Sequence, residues 1–270
     1  MDHPRSNVHT HTNFSDGRDS VEQMVEAAVE RGFTSLGFSD HGALSVDAAA
    51  MLNEAGYREA VLAAKQKYAD RIEIALGYEH DAVAVDADLS HYEYVIESVH
   101  FLSRNGEYRP IDSSKAILQQ AIDDLYGGDA IAMCVDYYAS VNRSMERPEA
   151  DVVGHIGLVT KFNEDGAMFD ESDPAYRAAW METIECAAKR DLIVEINTGA
   201  MSRGYRSAPY PTLEQLRYLR SLGGRITITS DCHRAEWIDF AFDKAVALAK
   251  SAGFTSVWLW EGGRFVEKAL

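Results

Sequence analysis

The sequence predicts an α/β fold in which strands and helices alternate to form a closed or nearly closed parallel barrel. Seven short apolar segments, each typical of a buried strand, are separated by stretches with helical periodicity. Histidines or carboxylates follow most of these segments directly. A length of 270 residues with 46% hydrophobic side chains suffices for one barrel or two smaller domains. No linker-like stretch divides the sequence, so one domain over residues 1–270 is the simplest interpretation.

The first unit begins with the sequence NVHTHTNFSDG. Alternate side chains of a strand lie on the same face, so His9 and His11 can bind one metal ion. Asp16 follows on a loop from which its carboxylate can turn back to that ion. Ser20 is a candidate helix N-cap with Gln23 three residues later, ahead of an apolar stripe. A single His-x-His pair is weak evidence, so a metal site requires further ligands at equivalent positions.

The other six units repeat the order of strand, polar tip and helix. The strand candidates are residues 34–39, 72–76, 92–99, 152–155, 192–196 and 225–229. Helices are expected near 54–68, from 112 or 113 to 126, and at 130–144, 175–190, 212–223 and 237–250. Thr212 is a candidate cap for its helix, with Gln215 at the third position, and an apolar segment at 257–260 ends the chain. The alternative of an open, doubly wound sheet lacks a glycine-rich phosphate loop after the first strand.

Potential metal ligands collect at the carboxyl ends of the predicted strands. The nine candidates are His9, His11, Asp16, His41, Glu79, His100, His155, Asp231 and His233. A barrel brings these strand ends together at one mouth. Each histidine alone could be a buried, hydrogen-bonded imidazole, but an unpaired polar cluster of this size is costly. Nine ligands exceed the needs of one tetrahedral zinc ion, and imidazole with carboxylate suits Zn, Mn or Fe, so two or three metal ions are expected.

Composition restricts the class of partner. A net charge of −17 disfavours nonspecific binding to nucleic acid or to anionic lipid. A phosphate substrate remains compatible, because clustered divalent cations reverse the local potential. No apolar run approaches the length of a membrane span, and the N-terminus lacks the apolar core of a signal peptide. The three cysteines are scattered and include no CxxC pair, so we expect free thiols in a cytoplasmic protein. From the charge and the hydropathy we expect neither nucleic acid nor membrane as a partner.

These motifs resemble the polymerase and histidinol phosphatase (PHP) superfamily. The matching segments are His9-Thr10-His11 with Ser15-Asp16-Gly17, Ser39-Asp40-His41, Gly77-Tyr78-Glu79, Ser98-Val99-His100, Gly154-His155 and Ser230-Asp231-Cys232-His233. The resemblance implies a distorted (β/α)7 TIM-like barrel with three divalent metal ions at its mouth. The implied ligand sets are His9, His11, Glu79 and Asp231 for one ion, Glu79, His100 and His155 for a second, and Asp16, His41 and His233 for a third.

Longer segments resemble the histidinol-phosphate phosphatases within that superfamily. They are DVVGHIGLVTKF from Asp151, EINTGAMSRGYR from Glu195, and Pro209-Tyr210-Pro211. This resemblance implies hydrolysis of L-histidinol phosphate to L-histidinol and inorganic phosphate, a step of histidine biosynthesis. A metal-bridging hydroxide held by Glu79, Asp231, His100 and His155 would attack phosphorus. The expected substrate contacts are Arg203, Lys161, Arg206 and His80.

Three other functions are consistent with the same ligands. A broader-specificity PHP phosphatase could act on sugar or nucleotide phosphates. A nuclease or phosphodiesterase would use the same metals, but the acidic balance and the lack of a basic, aromatic-lined track disfavour it. A noncatalytic metal-binding module is disfavoured because the sequence has, in addition to a full set of metal ligands, Arg203 as an expected substrate contact.

Overall fold

The computed structural model describes residues 4–44, 46–84, 87–164 and 166–270. The strands of this described chain are β1 Ser6–Asn7, β2 Ser35–Phe38, β3 Glu73–Asp81, β4 Tyr94–Ser98, β5 Phe101–Arg104, β6 Glu107–Pro110, β7 Val152–Val153, β8 Ile193–Asn197, β9 Arg225–Thr229, β10 Ser256–Trp260 and β11 Phe265–Ala269. Its α-helices are α1 Val21–Glu30, α2 Glu54–Lys67, α3 Lys115–Tyr126, α4 Ala130–Ser144, α5 Pro174–Lys189, α6 Gly199–Ser202, α7 Leu213–Ser221 and α8 Phe242–Ser251. No helix in this part of the chain combines the length and apolar character needed to cross a bilayer.

Seven of the described strands form one parallel sheet that is nearly closed. Their order is β1-β2-β3-β4-β7-β8-β9, and every pairing is parallel. The two edge strands meet just beyond their ends, where Thr10 and Cys232 form a parallel bridge. The N–H of His11 also donates to the carbonyl of Cys232 over 3.0 Å. The predicted fold class, a distorted TIM-like barrel, is therefore confirmed.

Local sequence signals fix the starts of several helices. Ser20 and Gln23 form a reciprocal capping box at α1, and Thr212 and Gln215 form another at α7, as predicted. At α5 the cap is Asp173, followed by a proline at the first helical turn, where its missing N–H is not needed. These caps set the entry of each helix on the outside of the barrel.

The barrel interior is apolar at the amino ends of the strands and polar at their carboxyl ends. The apolar plug consists of Val8, Ala75, Tyr94, Ile96, Val152, Ile193 and Trp260. Trp260 belongs to the β10–β11 hairpin and packs on the ring of Tyr94, with 5.3 Å between ring centroids. A Cβ at Gly77 would lie 2.1 Å from the Tyr94 ring, so this position requires glycine. The hairpin and plug close one end, which leaves the ligand-rich end as the open mouth.

Two predicted helix starts were wrong. The helix expected from residue 237 begins only at Phe242, because a 3₁₀ turn covers Ala235–Trp237 and Ala241 has a left-handed backbone with φ of 56°. The helix expected from residue 112 or 113 begins at Lys115, with Ser114 as its cap. The β5–β6 hairpin and strand β11 had no counterpart in the prediction, since both are short and neither lies in the parallel sheet.

Candidate metal centre

All nine predicted ligands converge at the open mouth of the barrel. They extend from the ends of β1, β2, β3, β4, β7 and β9, while Asp16 is supplied by the loop before α1. His9 and His11 are fully buried, with 5.2 Å between their ring centroids. Asp231 has a φ of 45°, an unusual backbone that Asp tolerates better than most residues. The structure therefore brings together every residue that the strand-end argument selected.

Glu79 lies at the middle of the cluster. Its Oε1 is 3.3 Å from His9 Nε2, and its Oε2 is 3.5 Å from His11 Nε2. Asp231 Oδ1 completes this group, at 3.2 Å from His11 Nε2 and 3.8 Å from His9 Nε2. Ligand atoms at ~2.0–2.1 Å from one zinc ion lie ~3.3 Å apart in tetrahedral geometry. These separations match the spacing that one ion requires.

A second group shares the same glutamate. His155 Nε2 is 3.0 Å from Glu79 Oε1, and His100 Nε2 is 3.5 Å from it. The two imidazole nitrogens are 3.2 Å from each other. Glu79 is therefore within ligand spacing of both groups.

A third group lies nearer to solvent around Asp16. Asp16 Oδ1 is 3.1 Å from His233 Nε2, 3.7 Å from His41 Nε2 and 3.9 Å from His11 Nδ1. The other ring nitrogen of His41 lies 2.9 Å from Glu79 Oε2. His41 therefore stands between this group and the two groups that share Glu79.

The donor set fits divalent metal ions. His9 Nε2 and both ring nitrogens of His11 are buried and have no hydrogen-bond partner among the residues that the structure describes. Leaving such groups unsatisfied costs ~1–3 kcal/mol each. Imidazole nitrogens and carboxylate oxygens are ligands that Zn, Mn and Fe all accept. Ion binding would satisfy the nitrogens that the protein leaves free.

Without metal, the histidines of the cluster differ widely in pKa. Burial, with the charges of His233 and His41, lowers the pKa of His11 to about 3, so this ring is neutral. Burial alone would lower the pKa of His41, but Glu79 and Asp16 raise it to about 10. Burial is likewise outweighed at His100, where Glu79 raises the pKa to about 9. A metal ion must therefore displace protons from His41 and His100.

Carboxylates behind the ligands orient the histidine rings. Glu195 Oε2 lies 2.8 Å from His9 Nδ1, and Asp81 Oδ2 lies 3.1 Å from His100 Nδ1. Sequence reasoning assigned neither residue a role, although a charged residue within the apolar segment LIVEI was a signal. Asp40, which precedes His41, accepts hydrogen bonds from the Thr12 amide and the Ser15 hydroxyl, at 2.8 and 2.6 Å. It therefore stabilises the loop that supplies Asp16.

A cavity of about 510 Å³ opens above the ligands. Its lining includes Arg203, Lys161, Asp112, Asp47, Tyr205 and Trp237. Arg203 Nη2 is 3.2 Å from Asp231 Oδ2, and Nη1 is 2.9 Å from His233 Nδ1. Lys161 Nζ donates to the carbonyl of Asp112 over 2.7 Å and lies 5.0 Å from the centre of the Tyr205 ring. Four cationic side chains, those of Arg18, Lys161, Arg203 and Arg234, and the carboxylates of Asp47 and Asp112 therefore line the cavity beside the ligand cluster.

Two of the predicted substrate contacts lie away from this cavity. His80 is buried, with Nδ1 2.9 Å from Glu97 and Nε2 2.7 Å from the Ala84 carbonyl. It follows Glu79 in β3 and so points to the opposite face of the strand. Arg206 donates to the Thr160 carbonyl over 2.9 Å and pairs with Glu164. Neither side chain lines the cavity.

Comparison with known families and proteins agrees with this geometry. The PHP domain model matches residues 7–199. The probable histidinol-phosphatase of Schizosaccharomyces pombe is 24% identical over 267 residues, covering 90% of this chain and 84% of that protein. The histidinol-phosphatase of Bacillus subtilis is 24% identical over 263 residues, covering 87% of this chain and 96% of its own length.

Solved structures share the fold. A candidate histidinol phosphatase from Listeria monocytogenes superposes with a TM-score of 0.79 at 24% identity, covering 88% of this chain and 98% of that one. The histidinol phosphate phosphatase of Lactococcus lactis, solved with zinc, L-histidinol and phosphate, has a TM-score of 0.69 at 21% identity, covering 96% and 98%. The match in both cases extends over nearly the whole length of the solved chain.

Proposed function

This chain belongs to the PHP domain family, and from that premise we propose that it is a metal-dependent phosphomonoesterase acting on L-histidinol phosphate. The products are L-histidinol and inorganic phosphate. One observation carries the proposal: a nine-ligand cluster opens into a cavity that is bordered by both cations and carboxylates. The names of the curated relatives, which match over most of their length, support the same reaction.

The proposed cofactors are three divalent ions, zinc, manganese or iron. The three groups around Glu79 and Asp16 are the proposed ligand sets, and each keeps its atoms within the spacing described above. Ions bound there would neutralise phosphoryl charge and lower the pKa of water in the site. The residues proposed to flank the attacking water are Glu79, Asp231, His100 and His155. No nucleophilic side chain is required.

Cationic side chains bind the phosphoryl group. Arg203 is held by Asp231 and His233, so its planar guanidinium is oriented before substrate arrives. Its hydrogen bonds to phosphate oxygens are charge-assisted and can be bidentate. Lys161 lines the same cavity and adds a point charge. Both residues remain proposed substrate contacts, whereas His80 and Arg206 do not.

Acidic side chains favour a substrate that also carries positive groups. Asp47 and Asp112 line the same cavity, and the protein as a whole has a net charge of −17. An amine and an imidazole joined to a phosphate would complement this mixed lining. The same charges support a small-molecule partner rather than nucleic acid.

A substrate panel tests the proposal. Purified protein is reconstituted with Mn, Zn or Fe, and phosphate release is measured from L-histidinol phosphate, sugar phosphates, nucleotide monophosphates and a phosphodiester. We expect strong selectivity for L-histidinol phosphate. Comparable rates on all monoesters would instead support the broader-specificity phosphatase, and activity only on the diester would refute the phosphomonoesterase.

A further inference from the structure

Glu195 is a buried carboxylate that receives hydrogen bonds from two sides of the metal centre. It lies on β8 inside the barrel and is 0% exposed. Oε2 accepts from Thr229 Oγ1 over 2.8 Å and lies 2.8 Å from His9 Nδ1. Oε1 accepts from Asn197 Nδ2 over 2.8 Å and from the main-chain N–H of His155. Four donors therefore surround one side chain.

This environment requires a group that only accepts hydrogen bonds. An ionised carboxylate has about four lone-pair positions, and the four donors occupy them. With Nδ1 of His9 protonated and donating to Glu195, Nε2 keeps its lone pair and faces Glu79 and Asp231. A glutamine can keep its oxygen toward Asn197 and the His155 N–H, and its NH₂ group then faces Thr229 and His9. His9 can accept from that NH₂ group only by carrying its proton on Nε2, the atom that faces the other ligands.

The two oxygens of Glu195 serve different ligand groups. Oε2 orients His9, which is proposed to bind one ion with His11 and Asp231. Oε1 fixes the backbone of His155, which is proposed to bind a second ion with His100. The described hydrogen bonds of Glu195 include none to Asp16, His41 or His233, the third group. We propose that Glu195 is a positioning residue that couples the two subsites sharing Glu79 and does not act on the third subsite.

The inference rests on the metal centre proposed above but not on the identity of the substrate. Metal affinity is therefore the readout, measured for Mn²⁺ by competition with a chromogenic chelator and by metal content after dialysis. The test variant is Glu195→Gln. The matched control is Glu97→Gln, which changes another fully buried glutamate on a strand of the same sheet; that glutamate contacts His80 and not a ligand. Asp16→Asn identifies the binding step that belongs to the third subsite.

We expect Glu195→Gln to weaken the binding step at the His9 subsite by about 10–100-fold. The step at the His155 subsite weakens with it, because the two subsites share Glu79, while the step affected by Asp16→Asn is unchanged. Glu97→Gln keeps all steps within twofold, on the order of the variation between independent sites. Unchanged affinity in Glu195→Gln, or equal weakening of every step, overturns the coupling. Wild-type protein that binds no divalent metal refutes the proposed centre itself. If Glu195→Gln does not fold, Thr229→Val takes its place: it removes one donor to Oε2 and must weaken the same steps.

Discussion

Replacing Arg203 with alanine tests whether this side chain binds the phosphate group of the substrate. The Arg203 side chain is 22% exposed and lines the cavity beside Asp231. Two unit charges at ~4 Å in an effective dielectric of ~20 interact by about 4 kcal/mol. Partial exposure screens the pair, so we expect a loss of about 3 kcal/mol, which is roughly 100-fold in kcat/KM.

Arg206 supplies the matched control. It carries the same group three residues later, but its guanidinium donates to the Thr160 carbonyl and pairs with Glu164 outside the cavity. Arg206→Ala should leave kcat/KM within about threefold, a difference below 1 kcal/mol. Both variants are assayed for phosphate release at saturating metal, so that any effect of Arg203 on Asp231 is compensated. Equal losses in the two variants would refute the assignment of Arg203.

Three further predictions concern metal binding and stability. Gly199→Ala should lower the metal content of the protein, because the alanine Cβ would lie 2.7 Å from Oδ2 of the proposed ligand Asp231 and displace it. A metal content equal to that of wild type would contradict this prediction. Affinity for Mn²⁺ should rise with pH, because protons compete with the metal for His41 and His100, whose pKa values without metal are about 10 and 9. Calorimetry that finds no proton release on metal binding would disprove this prediction. Trp260→Ala should destabilise the protein by ~3–5 kcal/mol in urea unfolding and leave metal affinity unchanged, since the plug is remote from the mouth.

Eight of the nine ligands could be predicted because each lies at or just after the end of a strand that the apolar pattern locates, and Asp16 because its loop follows the first of these strands. His41, His100 and His155 each follow a short apolar run directly, and parallel strands in a barrel end at one mouth. This inference needs only the positions of the strand ends, and it does not need the direction in which each side chain points.

Orientation within a strand buried on both faces could not be predicted. In β3 both faces are covered, so the sequence has no alternation that tells whether Glu79 or His80 points inward. The same ambiguity applies to Glu195 on β8. Arg203 and Arg206 lie in one loop, and the contact of Arg206 with Thr160 depends on tertiary structure. The single-domain interpretation of residues 1–270 stays a prediction.

We propose that hydrolysis of L-histidinol phosphate by this protein requires metal ions held at the mouth of the barrel. The most direct measurement is phosphate release from that compound by chelator-treated protein, before and after addition of Mn²⁺, with wild type beside Glu79→Gln. Wild-type activity should be absent after chelation and restored by the metal. Glu79→Gln should remain inactive, because two ligand groups share that carboxylate. Full activity in the metal-free protein, or in Glu79→Gln, would contradict the claim.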